Sequence, residues 1–146
     1  GIDPGKTGCQ HFETSQFMFY KRNIDPSAHL ILWQVALAGD KSIAKYATGQ
    51  AYRQVLVDLL SEHYPLNHEV ILYQAKVLPI DKVRKDKLSL AELVDAEIYM
   101  HTTLVLPPSK KMQENHQVLE KLAAIEEAEV IELRKQKAKA KLRLIK

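Results

Sequence analysis

Residues 29–39, HLILWQVALAG, leave this chain few ways to fold. The run is branched and aromatic and stays apolar on both faces until Gln34, the pattern of a central strand buried on both sides of a sheet. A polar amide near the C-terminal end of such a strand, followed by small residues and a glycine, is where open α/β sheets present backbone to a ligand in the crevice beyond the strand ends. Two readings of Gln34 stay open: it faces a ligand there, or it satisfies its own hydrogen bonds in a polar corner of the core.

The flanking segments fit a sheet flanked by helices. Residues 1–8, GIDPGKTG, are turn chemistry and read as a loop. Their Gly-Lys-Thr ending is not expected to be a P-loop, because that motif needs a helix directly after it and Cys9 to Glu13 does not look like a helix start. SQFMFY, residues 15–20, reads as a short aromatic strand, and Asp25-Pro26-Ser27 as a turn. Thr48 is the expected N-cap of a helix running to about Glu62, with Tyr52, Val55, Leu56, Leu59 and Leu60 at helical spacing. EVILYQA, residues 69–75, is a second apolar strand that also ends on a glutamine and a small residue, so the two Gln-ended strands are expected to pair. A charged link with a possible edge strand follows, then a brief helix over residues 90–95, capped by Ser89 with Glu92 in the capping-box position. YMHTTLVL, residues 99–106, is the last strand, closed by Pro107-Pro108. From Met112 the pattern is helical, with Val118, Leu119, Leu122, Ile125, Val130, Ile131 and Leu133 forming an apolar stripe. The expected fold is therefore α/β, a mixed sheet of about five strands flanked by helices, over residues 1–110, with residues 111–146 as a helical extension carrying a basic tail.

Charge and cysteine content narrow the function. The 146 residues hold 21 Lys and Arg against 18 Asp and Glu, but residues 133–146 alone hold seven of the basic residues and no acid. That leaves 14 basic against 18 acidic elsewhere, so no broad nucleic-acid footprint is expected on the folded part, and the tail reads as a solvated charged helix. Cys9 is the single cysteine, which excludes an internal disulfide and points to a reducing compartment, the cytoplasm. No apolar run reaches the roughly eighteen residues of a membrane span. The chain starts with Gly and no methionine, which suggests a piece of something longer. The six histidines, at 11, 29, 63, 68, 101 and 116, have no metal-ligand spacing, and no nucleophile elbow is present. Cys9 near His11 carries little weight as a catalytic pair, since such pairs are recognised by geometry in space. Residue chemistry alone stops at a compact α/β domain whose strand ends offer backbone and amide groups to an unnamed ligand.

Three segments, HLILWQVALAG, HEVILYQAKVLP with KLSLAEL, and AEIYMHTTLVLPP, in this order and spacing, resemble the C-terminal subdomain of the tetrapyrrole (corrin/porphyrin) methylase superfamily. These are class III methyltransferases that use S-adenosylmethionine, and the likeness covers about residues 10–108. GIDPGKTGCQHFE and IDPSAHLILWQV resemble most closely the borosin type, which methylates backbone amide nitrogens of a ribosomally made peptide. The resemblance implies an adenosine pocket against Gln34, Val35 and Ala36, against Gln74 and Ala75, and against Thr102 and Thr103, with S-adenosylhomocysteine as product. It also implies a homodimer and a peptide substrate. The family's N-terminal subdomain, with its glycine-rich motif and catalytic groups, has no counterpart in these residues, so no catalytic residue is expected here and the chain alone should be inactive. Two other functions remain: a uroporphyrinogen or precorrin methyltransferase, for which Lys21, Arg22 and Arg53 would line a basic trough, and a non-catalytic dimerisation module. For Thr102 and Thr103 the alternative is ordinary β-branched strand filling.

Overall fold

The computed structural model describes residues 3–41, 48–74 and 83–145. Two compact units divide the chain, Gly1–Met112 and Gln113–Lys146. The first is a five-stranded mixed sheet with helices, as expected. Its order is β1-β2-β5-β3-β4, with β1 Cys9–Glu13, β2 His29–Trp33, β3 Glu69–Gln74, β4 Arg84–Ser89 and β5 Thr103–Leu106. β1 and β2 run parallel, and every other neighbouring pair is antiparallel. The first helical segments are α1 Pro4–Thr7, α2 Thr14–Phe19 and α3 Gln50–Leu60, with 3₁₀ turns at Val35–Leu37 and Ala91–Asp95.

Strand alternation sets the core. Leu30 and Leu32 of β2, Val70 and Leu72 of β3, and Leu104 and Leu106 of β5 point to one face and are fully buried. Phe17 of α2, Leu56, Val57 and Leu60 of α3, and Leu93 pack with them into one apolar cluster. The alternate residues of the same strands are half-buried or exposed, Trp33 at 49% and Tyr73 at 40%, apart from His29 at the start of β2, which is buried. The expectation of a strand buried on both sides therefore fails. This sheet buries one face, as mostly antiparallel sheets do, and the apolar residues of its other face merely mimic a two-sided strand in the sequence.

Other expectations change in instructive ways. Residues 15–20 are not a strand: α2 spans Thr14–Phe19, with the Glu13 carboxylate accepting from Gln16 N at 2.8 Å as its cap. The preceding CQHFE is the strand, an edge one whose side chains are exposed or half-buried. Inside the first eight residues, Asp3 caps the single turn of α1. Gly49, not Thr48, stands at the N-cap of α3. The two Gln-ended strands do not pair, because β5 lies between them. The last strand begins at Thr103 and not at Tyr99. Ser89 and Glu92 do form the reciprocal capping box, with Ser89 N donating to Glu92 Oε1 at 3.2 Å and Glu92 N donating to Ser89 Oγ at 3.3 Å.

Tyr64 ends the turn after α3. It is 1% exposed, its ring lies 5.2 Å from that of His68, and its hydroxyl has no hydrogen-bond partner among the described residues. Burial, helped by the Asp25 carboxylate, pushes its phenol up to about 12. The unfolded phenol loses its proton near its ordinary value of 10.0, so this contribution to stability is whole below that pH and is lost as pH rises toward 12. Tyr64→Phe is expected to remove that alkaline loss, and to leave stability unchanged or slightly raised near neutrality because an unpartnered buried hydroxyl is gone. Urea unfolding of both proteins at about pH 7 and about pH 11 reads this out.

The second unit contains one long helix, α4 His116–Ile145, which Asn115 caps through its side-chain oxygen to Val118 N at 3.2 Å. Among the described residues no helix is long and apolar enough to cross a membrane.

Candidate functional site

β1 and β2 are parallel, and β5 lies antiparallel between β2 and β3, so β2 and β3 also point the same way. The topology thus brings the C-terminal ends of β1, β2 and β3 and the start of β5 to one edge of the sheet. This is where open α/β sheets expose backbone to ligands. It is also where six of the seven predicted cofactor residues fall, at strand ends or in the turn just past β2; Ala75 lies outside the described residues.

At this edge β2 stops at Trp33 and Gln34 turns the chain. Gln34 has φ 54° and ψ 46°, the only non-glycine with positive φ among the described residues. A left-handed conformation costs an L-residue about 1–2 kcal/mol, and such strain persists only where the surroundings enforce it. Three hydroxyls supply the enforcement. Thr14 Oγ1 donates to the Trp33 carbonyl, Ser15 Oγ donates to Leu37 O at 2.7 Å and accepts from Gly39 N at 3.1 Å, and Thr48 Oγ1 donates to Ala38 O at 2.7 Å. Thr48 N also donates to Ala36 O at 2.7 Å. Gly39 completes the clamp with φ 80°, and a Cβ there would lie 2.8 Å from Tyr52 Cδ1.

The clamped turn sorts the predicted residues. Gln34 is exposed, and its amide has no partner among the described residues, which answers the question left open by the sequence: it does not satisfy itself in the core. Val35 and Ala36 are buried at 0% and 2%, so they offer shape and backbone and not side chains. On β3, Gln74 Oε1 accepts from Thr102 Oγ1 at 3.3 Å, and Thr102 is fully buried, its hydroxyl also accepting from Tyr99 N at 3.0 Å. Gln74 and Thr102 are thus brought together, while Thr103 is an ordinary half-buried strand residue paired with Tyr73. Reading the residues missed Arg84, which lies opposite Gln74 on β4 and sets its guanidinium 5.5 Å from the Tyr99 ring centre. The Tyr99 hydroxyl donates to Glu97 at 3.0 Å, a bond that raises its pKa. No local pattern announces this group, since its members meet only through β3–β4 pairing.

The basic trough required for a tetrapyrrole is not assembled. Arg53 Nη1 donates to Val94 O at 3.0 Å and Ala96 O at 2.7 Å, tying α3 to the second 3₁₀ turn. Lys21 and Arg22 line a separate cleft of about 480 Å³ with Phe17, Ile24 and Leu59, and Arg53 does not reach it. Arg22 stacks over Phe12 at 4.8 Å.

The chain's relatives are named both as methyltransferases and as precursors of ribosomally synthesised cyclic peptides. It is 32% identical over 126 residues to the methyltransferase and ribosomally synthesised cyclic-peptide gymnopeptides precursor of Gymnopus fusipes, covering 84% of this chain and 30% of that protein. It is 34% identical over 112 residues to a type III borosin cyclic-peptide precursor methyltransferase of Anomoporia bombycina, covering 74% of this chain and 13% of that protein. The omphalotin A precursor methyltransferase of Omphalotus olearius is 29% identical over 133 residues, 88% of this chain and 32% of that protein. The chain therefore spans about a third or less of the relatives it matches. No protein-family model matches it.

Proposed function

We propose that the complete protein is a borosin-type, S-adenosylmethionine-dependent methyltransferase that methylates backbone amide nitrogens of a peptide. In this reading the chain supplies one wall of the adenosine site through Gln34, Val35, Ala36, Gln74, Ala75, Thr102 and Thr103, acts beside a second subdomain it does not contain, and works as a cytoplasmic homodimer. The observation that carries the reading is the strained Gln34, held left-handed by three buried hydroxyls at the strand-end edge where open α/β sheets take ligands, with its amide unpartnered among the described residues. The peptide-precursor names of the relatives favour a peptide over a tetrapyrrole, and the engagement of Arg53 by carbonyls argues the same way.

The residues present fit a nucleoside on one side only. The Gln34 amide offers a donor and an acceptor to the edge of a purine, the backbone of the 3₁₀ turn at Val35 and Ala36 follows directly on it, and Thr102 hydrogen-bonds the Gln74 amide. The bound cofactor supplies an electrophilic methyl on sulfur. The amide nitrogen takes that methyl and loses its proton to a base, which this reading assigns to the absent subdomain, and the reaction gains most from alignment of donor and acceptor.

The reading is tested on Gln34→Gly in the complete protein. Glycine relieves the left-handed strain, so stability is expected to rise by about 1 kcal/mol, while loss of the amide is expected to weaken S-adenosylhomocysteine binding by about tenfold. Calorimetry on both forms, and on the 146-residue chain, which is expected to bind weakly or not at all, gives the answer. Unchanged affinity in the variant removes Gln34 from the site. Methyl addition to uroporphyrinogen and not to a peptide replaces the substrate.

A further inference from the structure

We propose that α4 pairs antiparallel with α4 of a second copy of this chain, its acidic half lying against the partner's basic half. This rests on the helix alone and stands apart from the methyltransferase reading. Residues 116–132 hold five glutamates and one lysine, and residues 133–145 hold six Lys and Arg and no acid. The change of sign falls in mid-helix, about 25 Å from the N-terminal end of a rod about 45 Å long.

The helix macrodipole does not account for such a division, because its preference for acids at the start and bases at the end fades within one turn. The pattern also works against a solitary helix. Glu126, Glu129 and Glu132 follow each other at three-residue spacing, and Lys135, Lys139 and Arg143 at four. Like charges at those spacings repel by a few tenths of a kcal/mol per pair. No ion pair relieves them along the helix among the described residues. A parallel partner would double the repulsion, whereas an antiparallel one sets glutamates beside lysines in both halves.

An apolar side lies on the same face as the charges. Val118, Leu122, Ile125 and Leu133 recur along one side of α4 and are 46–56% exposed. At 100° per residue, Glu129, Glu132, Lys139 and Arg143 fall on that side too. In an antiparallel pair the lysine and arginine stems cover the partner's apolar residues while their heads reach its glutamates. Charge complementarity thus selects both the occupant, a second copy, and its direction.

Sedimentation velocity on the 146-residue chain at low salt is expected to show a dimer that dissociates as salt rises. The double variants Glu129→Lys with Glu132→Lys, and Lys139→Glu with Arg143→Glu, are each expected to dimerise at least about tenfold more weakly, and their equimolar mixture to recover the wild-type affinity. These side chains are exposed, so circular dichroism should show both variants folded. Direction is read by carbodiimide coupling in a mixture of isotopically light and heavy wild-type chains. Links between Glu126 or Glu129 of one copy and Lys135 or Lys139 of the other support the antiparallel pair. A monomer at all salt concentrations, a dimer indifferent to both charge reversals, or a basic half that binds anionic vesicles with no self-association overturns it.

Discussion

Replacing Leu104 by alanine is expected to lower the unfolding free energy of the first unit by about 3–5 kcal/mol, the upper part of the range for large-to-small changes in a packed core. β5 is the strand through which the sheet is continuous: Leu104 lies opposite Leu32 of β2 and Leu72 of β3, and all three are fully buried. A cavity at that point loosens both ladders at once, and the sheet is too thin to collapse into it because only one of its faces is packed. Since domains of this size are stable by only about 5–15 kcal/mol, the variant should populate the unfolded state measurably. Urea titration followed by tryptophan fluorescence measures the loss, Trp33 being the single tryptophan. A loss below about 1 kcal/mol would mean that the β2–β5–β3 centre is not where the fold is held.

The second large effect concerns the turn after β2. The double substitution Ser15→Ala with Thr48→Val removes the partners of two groups, the Ala38 carbonyl and Gly39 N, while the Leu37 carbonyl loses Ser15 but keeps Asp40 N at 3.0 Å. Each unpartnered buried group costs about 1–3 kcal/mol, so a loss of about 2–6 kcal/mol is expected, with the two sites coupled because they hold one segment. The effect should be local before it is global. Amide exchange over residues 34–39 is expected to accelerate well beyond that of β3 and β5, as the segment opens separately from the sheet. In the complete protein the same change is expected to weaken S-adenosylhomocysteine binding although neither residue belongs to the proposed contact set, because Gln34 is freed from its left-handed conformation. Uniform acceleration across the sheet would refute a clamp that acts on the turn.

How far the residues alone disclosed this arrangement differed by element. α3 was legible because eleven residues show a full helical period, and β3 because an apolar run of six is bounded by turn signals. The Ser89–Glu92 box was legible because its chemistry is complete within four residues. Residues 15–20 were misread because six residues rich in aromatics suit either a strand or a short helix, and the cap that decides it lies outside them, at Glu13. β1 escaped notice because an edge strand with exposed side chains has no apolar signature.

The candidate site divides along the same line. Its general place, the end of an apolar strand that terminates in an amide and small residues, is written in HLILWQVALAG, because burial of Leu30 and Leu32 and the glycine after them are local demands on residue type. What closes it is not. Thr14, Ser15 and Thr48 reach the turn from other parts of the chain, and Gln74 meets Thr102 across 28 positions. Sequence by itself determined the strand, the long charged helix and the mixed α/β class, since periodicity and charge are properties of neighbours. Only the tertiary structure decided which face of the sheet is buried, which strand lies between the two glutamines, and that Gln34 turns left-handed, since each depends on hydrogen bonds and packing between residues far apart along the chain.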